Sequence, residues 1–276
     1  MSEANGARSR GETWLAALTG TDGIAAGGPR SVRVADAPLG DERARWLAVV
    51  PDPAGRFPRA RSGEVGLDEA WALARRVREA IAGDARGTRR PIVAIVDVAS
   101  QAYGRREELL GIHLACAAAV DAYATARLLG HPVVALLVGR AMSGAFLAHG
   151  YQANRLLALD DPGVLVHAMG KEATARVTRR TVAEVEQLGR EVLPMAYDVR
   201  SWARLGMLDR LISGVDADAP SHEDVRRVRG ALGEAVADAR SGPRDLLRRL
   251  ASPASRELRA ASTEVRRRLA AQWDAV

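Results

Sequence analysis

The chain alternates between short runs that are apolar throughout and longer stretches in which apolar residues recur every three or four positions. "RWLAVVPDP" (45–53) is apolar until Pro-Asp-Pro closes it, which predicts a buried strand entering a loop. Upstream, "AGGPRSVRV" (26–34) predicts a Gly/Pro turn leading into a first strand, and the polar residues 1–11 predict a disordered N-terminus. Leu67, Ala70, Ala74, Val77 and Ile81 put one apolar face on a helix over "LDEAWALARRVREAIAGD". "PIVAIVD" (91–97) and "HPVVALLVG" (131–139) are continuous runs, as expected of strands covered on both faces, with an Ala-rich helix predicted between them over 105–129. "RLLALD" and "GVLVHAM" predict two more short strands, and from Lys171 onward the pattern is mostly helical. Strand and helix in alternation predict an α/β fold of parallel strands with crossover helices. Residues 12–215 are expected to form this domain. Residues 216–276 are expected to form an Arg/Ala-rich helical extension broken at Gly242-Pro243 and Pro253, either docked on the core or a partner or presenting a solvated Arg face.

Two junctions carry candidate chemistry. In "LLVGRAMSGAFLAHG" (136–150) a strand runs into Ser143, Gly144 and Ala145 just before a predicted helix. The opening turn of a helix has backbone N–H groups without intrahelical partners, and three small residues let an oxygen approach them. A phosphate-binding loop of the GxxxxGK[ST] type is not expected, because neither the Lys nor the second glycine spacing is present. Ala141-Met142-Ser143-Gly144-Ala145 is a relaxed form of the nucleophile-elbow pattern, with His222 and later acids as nominal partners. The plainer alternative is that small residues only let the helix pack closely on the sheet. "IVDVASQAYGRREE" (95–108) repeats the arrangement, reaching Gly104 before another helix. Two such junctions on adjacent strands face the carboxyl ends of the sheet, where open α/β folds bind ligands.

Composition narrows the classes. The formal charge is +6, and of 40 basic residues only Lys171 is lysine, so the Arg bias runs along the whole length instead of marking a binding stripe. No basic stripe interleaved with aromatics accompanies it, and nucleic-acid binding is not expected. His113, His131, His149 and His167 fall 18 apart, but their neighbours share nothing and no pair has ligand spacing; no metal site is expected. One cysteine, Cys116, excludes an internal disulfide framework, and no run approaches the length of a membrane span; a cytoplasmic setting without membrane contact is expected.

The residues "VDVASQAYGRREELLGIHLACAAAVDAYA" and "GHPVVALLVGRAMSGAFLAHG" resemble crotonase-fold carboxyltransferases, with their D-T-P-G-x-x-x-G loop and S/G-G-G/A loop. "SGAFLAHGYQANRLLALDDPGVLVHAMGKEATARVTRRTVAEVE" and "MAYDVRSWARLGMLDRLI" are more closely similar to the γ subunits of malonate decarboxylases, over residues 40–215. The resemblance implies a crotonase-like fold and pairing with a β subunit. It implies decarboxylation of a malonyl thioester borne on an acyl-carrier subunit with a phosphopantetheine-type arm derived from dephospho-CoA. This chain has no A-M-K-M biotin-attachment motif and is expected to carry no covalent cofactor. Asp97 to Gly104 stands at the first loop, with Val98-Ala99-Ser100 in place of Thr-Pro-Gly, and Ser143, Gly144 and Ala145 stand at the second. The implied reading is that amides of Ser143, Gly144 and Ala145 with Gly104 form an oxyanion hole. Gln101, Tyr103, Met142 and His167 would then line the substrate, although loop-stabilising hydrogen bonds and a satisfied core histidine remain open for Gln101, Tyr103 and His167. Three alternatives also remain: a non-catalytic partner of the β subunit, a carboxyltransferase passing CO2 to biotin, and a serine hydrolase.

Overall fold

A computed structural model describes residues 8–24 and 26–273. The chain opens with α1 (Arg10–Thr19), started by a capping box in which Ser9 and Glu12 satisfy each other's backbone amides and ended by Gly20 in the left-handed region. Residues 10 and 11, expected to be disordered, therefore belong to a helix; residues 1–7 lie outside the described part. Strands β1 (Val32–Leu39) and β2 (Glu42–Val49) form an antiparallel hairpin across Gly40-Asp41, with Gly40 at φ 62°. Then come α2 (Leu67–Gly83), β3 (Ile92–Val98), α3 (Arg105–Leu109), α4 (Ile112–Leu128) and β4 (Val133–Met142). The single helix expected over 105–129 is broken at Gly111, whose φ of 79° no helix interior accommodates.

Beyond β4 lie α5 (Ser143–Ala148), β5 (Arg155–Leu159), β6 (Val166–His167), α6 (Lys171–Thr178), α7 (Val182–Glu191), α8 (Val199–Arg204) and β7 (Arg210–Ile212). The chain ends with α9 (His222–Ser241), α10 (Arg248–Ala251), α11 (Pro253–Leu258) and α12 (Ala260–Trp273). The sheet runs β1-β2-β3-β4-β5-β7, with β6 added beside the end of β4, and every pairing after the hairpin is parallel.

β3, β4 and β5 are the hydrophobic centre: Ile92–Val96, Val133–Val138 and Leu156–Leu159 are buried on both faces. Trp14 of α1 is fully buried and donates its indole N–H to the Ala217 carbonyl. Val228, Leu232 and Val236 bring α9 into the same core, so the boundary expected at residue 216 does not separate two bodies of packing. α10 and α11 are tied down by the buried Arg249, which donates to the Tyr151 and Ala153 carbonyls. No described helix is long and apolar enough to cross a membrane.

Candidate functional site at the carboxyl ends of β3 and β4

The register between β3 and β4 shifts near their ends: Val96 faces Leu137, but Val98 faces Ala141. The extra residues of β4 form a bulge that Asp97 fills. Its carboxylate accepts the Arg140 N–H at 3.0 Å, and a Cβ on Gly139 would lie 2.5 Å from the Asp97 Cγ. Glycine at 139 is therefore required by the side chain that pins the bulge. The device aims the end of β4 into the Ser143 turn, and Asp97 is a positioning residue that the sequence pattern identified only as the start of a loop.

Ser143 itself has φ 57°, one of the described non-glycine residues in the left-handed region. A β-strand thus turns sharply into α5, as the small residues had predicted. The Ser143 hydroxyl donates to the Ala168 carbonyl at 2.9 Å. It is engaged with a backbone oxygen instead of an imidazole, and His222, the nominal triad partner, opens α9 as an exposed residue. Nothing in this geometry activates Ser143 as a nucleophile.

The amide of Gly144 has a specific partner. Its N–H donates to the Gln101 side-chain Oε1 at 2.5 Å, which joins the two predicted junctions. A Cβ at position 144 would lie 2.6 Å from that oxygen, so a side chain there must push the carboxamide aside. Gln101 is held from its own side: the Val65 carbonyl accepts the Ala102 N–H at 2.9 Å, and the Ser100 carbonyl accepts the Val65 N–H at 3.0 Å. With Oε1 accepting from the Gly144 N–H, Nε2 is the donor group of the half-buried Gln101 carboxamide. The amide expected to be bare is therefore satisfied, and a side-chain donor is oriented by it.

His167 lies opposite Met142 in the β4–β6 pair. Its ring stacks on Tyr197 at a centroid distance of 3.9 Å and 14°. Its Nδ1 lies 2.9 Å from the Met169 carbonyl. Burial holds the imidazole below its ordinary pKa and favours the neutral ring, and the Met169 carbonyl, which raises the pKa, opposes this only in part. Met142 is buried against Ala175, Val185 and Tyr197 in a second small hydrophobic cluster. Beside this cluster is a cavity of ≈ 330 Å³ lined by residues including Leu165, Lys171, Arg190 and Tyr197.

The structure thus brings Gln101, Met142, Ser143, Gly144 and His167 together. Ala145 contributes a fully buried methyl group to the core. At Gly104 an added Cβ would lie 2.7 Å from the Arg59 Cδ and also meet the Glu107 carboxylate, and the Gly104 carbonyl accepts the Glu108 N–H. Tyr103 is 51% exposed, and among the described residues no hydrogen bond links Tyr103 or Gly104 to the Ser143 turn. No group of three or more His, Cys, Asp or Glu among the described residues is placed to hold a metal ion.

A family model described as malonate decarboxylase gamma subunit matches residues 60–273. It therefore extends through α9 to α12, which the sequence resemblance left out. Among curated proteins, the chain is 36% identical over 165 residues to malonyl-S-ACP:biotin-protein carboxyltransferase MADD of Malonomonas rubra, covering 58% of this chain and 56% of that protein. The chain spans about half the length of the curated relatives it matches. Among solved structures, a chain of a Pseudomonas malonate decarboxylase hetero-tetramer in complex with coenzyme A superposes with a TM-score of 0.91 at 59% identity, over 96% of this chain and 100% of that one. A chain of the Pseudomonas MdcD-MdcE hetero-dimer gives 0.87 at 58%, with the same coverage. At 20% identity and a TM-score of 0.59, covering 77% of this chain and 37% of that one, transcarboxylase 12S shares the carboxyltransferase-type, crotonase-like fold.

Proposed function

The chain belongs to the malonate decarboxylase gamma subunit family, and we propose that it forms, with a crotonase-fold β subunit, a decarboxylase acting on a malonyl thioester. The malonyl group is delivered on the phosphopantetheine-type arm of a separate acyl-carrier subunit; this chain carries no covalent cofactor of its own. Its setting is the cytoplasm, with which the single free, partly buried Cys116 accords.

In the reaction the bond between the α carbon and the carboxylate breaks and CO2 leaves. The electron pair moves through the α carbon onto the thioester oxygen, giving an enolate, and protonation at carbon yields the acetyl thioester. Catalysis requires donors that meet the developing enolate oxygen more strongly than the ground-state carbonyl. The observation that carries the proposal is the Gly144 N–H to Gln101 Oε1 bond at the ends of β3 and β4. It fixes the carboxamide so that Nε2 donates toward the substrate, and the Ser143–Ala145 turn supplies the surrounding positive end of backbone dipoles. Gly104 lies where an added Cβ would meet the Arg59 and Glu107 side chains, and it serves the path of the first loop.

The likeness to MADD supports a second reading in which the carboxyl group passes to biotin. Co-expression with the β and carrier subunits, followed by assay of carboxyl-labelled malonyl thioester without biotin, separates the two. Release of labelled CO2 is expected; turnover only with biotin protein would favour the second reading. In the same system Gly144→Val, which would displace Gln101, is expected to abolish turnover in an assembled complex. Wild-type turnover would leave this chain a structural partner only.

A further inference from the structure

The turn that closes α5 leaves three consecutive carbonyls, those of Tyr151, Gln152 and Ala153, without a backbone partner among the described residues, since β5 starts only at Arg155. Carbonyls withdrawn from water need donors, and here arginines supply them. Arg127 Nε donates to the Gln152 carbonyl at 3.1 Å. Arg249, reaching in from α10, 98 residues beyond Tyr151, donates to the Tyr151 carbonyl at 2.7 Å and also to the Ala153 carbonyl. Arg249 is 7% exposed and its Nε has no partner. Among the described residues no carboxylate lies within 4.0 Å of its guanidinium, whereas the neighbouring Arg248 reaches Asp209 and Asp238. A buried cation without a counter-charge is a poor source of stability, so its placement calls for another reason.

The contacts of Arg249 lead to the Ser143 turn. Its guanidinium lies over the Tyr151 ring, 5.0 Å from the centroid, and Tyr151 meets Phe146 edge-on at 5.3 Å and 71°. Trp202 of α8 completes the group, 5.8 Å from the Phe146 ring. Phe146 is 4% exposed and stands two positions after Gly144 in α5. The Tyr151 N–H returns to the Phe146 carbonyl at 3.0 Å. Gly150, at φ 111°, brings the turn against Val96 of β3, whose Cγ2 would lie 2.7 Å from an added Cβ. A helix of six residues does not hold its own direction, so these contacts set it. Resting on the functional reading above, we propose that Arg249 is a positioning residue. It fixes the turn after α5 and, through Tyr151 and Phe146, the angle at which α5 presents the Gly144 N–H to Gln101.

The test compares full-length wild type with Arg249→Met, Arg249→Lys, Tyr151→Leu and Arg248→Gln. CO2 release at varied malonyl thioester is measured after assembly with the β and carrier subunits, and hydrogen exchange of the Gly144 amide, against the amides of β3, in each full-length chain. Arg249→Met and Tyr151→Leu are expected to lower kcat about tenfold with KM within about twofold, because a small shift of a reacting-site donor is costly. Both should speed Gly144 exchange about tenfold while β3 keeps wild-type rates. Arg249→Lys, which keeps a cation for one carbonyl, should recover part of each loss. Arg248→Gln loosens the same helix at Asp209 and Asp238 and is expected to match wild type. If Arg249→Met does not fold, Tyr151→Leu decides, since it leaves Arg249 and both carbonyls in place. Wild-type kcat or wild-type Gly144 exchange in these two variants, faster exchange shared equally by β3, or an equal loss in Arg248→Gln overturns the inference. A wild-type complex that releases no CO2 sinks the functional reading alone, and Gly144 exchange then decides whether Arg249 sets the turn.

Discussion

Replacing Gln101 tests whether the carboxamide or the Gly144 amide behind it meets the substrate. If Nε2 is the donor, Gln101→Ala removes one oriented hydrogen bond to the enolate oxygen, expected to lower kcat by about 10²–10³. Gln101→Glu is the sharper variant. It keeps an oxygen for the Gly144 N–H, bonded at 2.5 Å in the native chain, but offers no N–H to the substrate. It also brings a negative charge to the developing enolate, a repulsion of about 4 kcal/mol at roughly 4 Å and an effective dielectric near 20. The expected loss therefore exceeds that of Gln101→Ala. Gly144→Ala should fall between wild type and these variants, because its Cβ, 2.6 Å from Oε1, must push the carboxamide aside by some tenths of an ångström. The assay is CO2 release by the reconstituted complex at varied malonyl thioester, with thermal unfolding of each variant alongside. A fall in kcat with KM and melting temperature nearly unchanged separates a reacting-site role from loop support. Should Gln101→Ala equal or outpace wild type, the side chain is only a plug and the Gly144 amide is the true donor.

The strands that carry this site were legible because β3, β4 and β5 are unbroken aliphatic runs, and the small residues at 143–145 announced a sharp turn. The contact that organises the site was not: Gln101 and Gly144 lie 43 residues apart, and which side-chain rotamer closes that gap depends on packing. The bulge at Asp97 escaped for the same reason, since a register shift belongs to a pair of strands and not to either one. Gly104 sits in a motif position and also has a local packing reason, the Arg59 and Glu107 side chains that an added Cβ would meet. α1 had a readable signal, Ser9 followed three residues later by Glu12 ahead of Trp14 and Leu15, which the polar start obscured. β7, three residues long, exists through its pairing with β5 and has no signature of its own. α9 looked like an appendage because its Arg residues dominate the composition, while one thin face, Val228, Leu232 and Val236, reaches the core.

Ser143→Ala is expected to keep activity within about tenfold of wild type, since it removes one hydroxyl bond to the Ala168 carbonyl and leaves the turn's amides in place. A fluorophosphonate adduct on Ser143 would restore the hydrolase alternative. Gly139→Ala is expected to lower stability by about 1–3 kcal/mol in urea denaturation as Asp97 is driven off the Arg140 amide; an unchanged midpoint would show that the bulge tolerates a methyl group. The last prediction concerns His149, fully buried, with Nδ1 3.0 Å from the Tyr123 hydroxyl and Nε2 2.9 Å from the Ile95 carbonyl. Burial pushes its pKa down to about 4 from the ordinary 6.5, outweighing the Ile95 contact, so the native state holds the neutral ring. Below pH 6.5 the unfolded chain binds a proton that the native chain refuses, so this contribution is fully present above pH 6.5 and declines until native His149 protonates near pH 4. The loss approaches about 3 kcal/mol at roughly 1.4 kcal/mol per pH unit. Urea denaturation of wild type and His149→Gln between pH 7 and pH 4 isolates it from the titrating carboxylates, because only the difference in slope belongs to the imidazole. Parallel stability curves for the two proteins would mean that this histidine is protonated in the core, and that Tyr123 and Ile95 do not hold it as described.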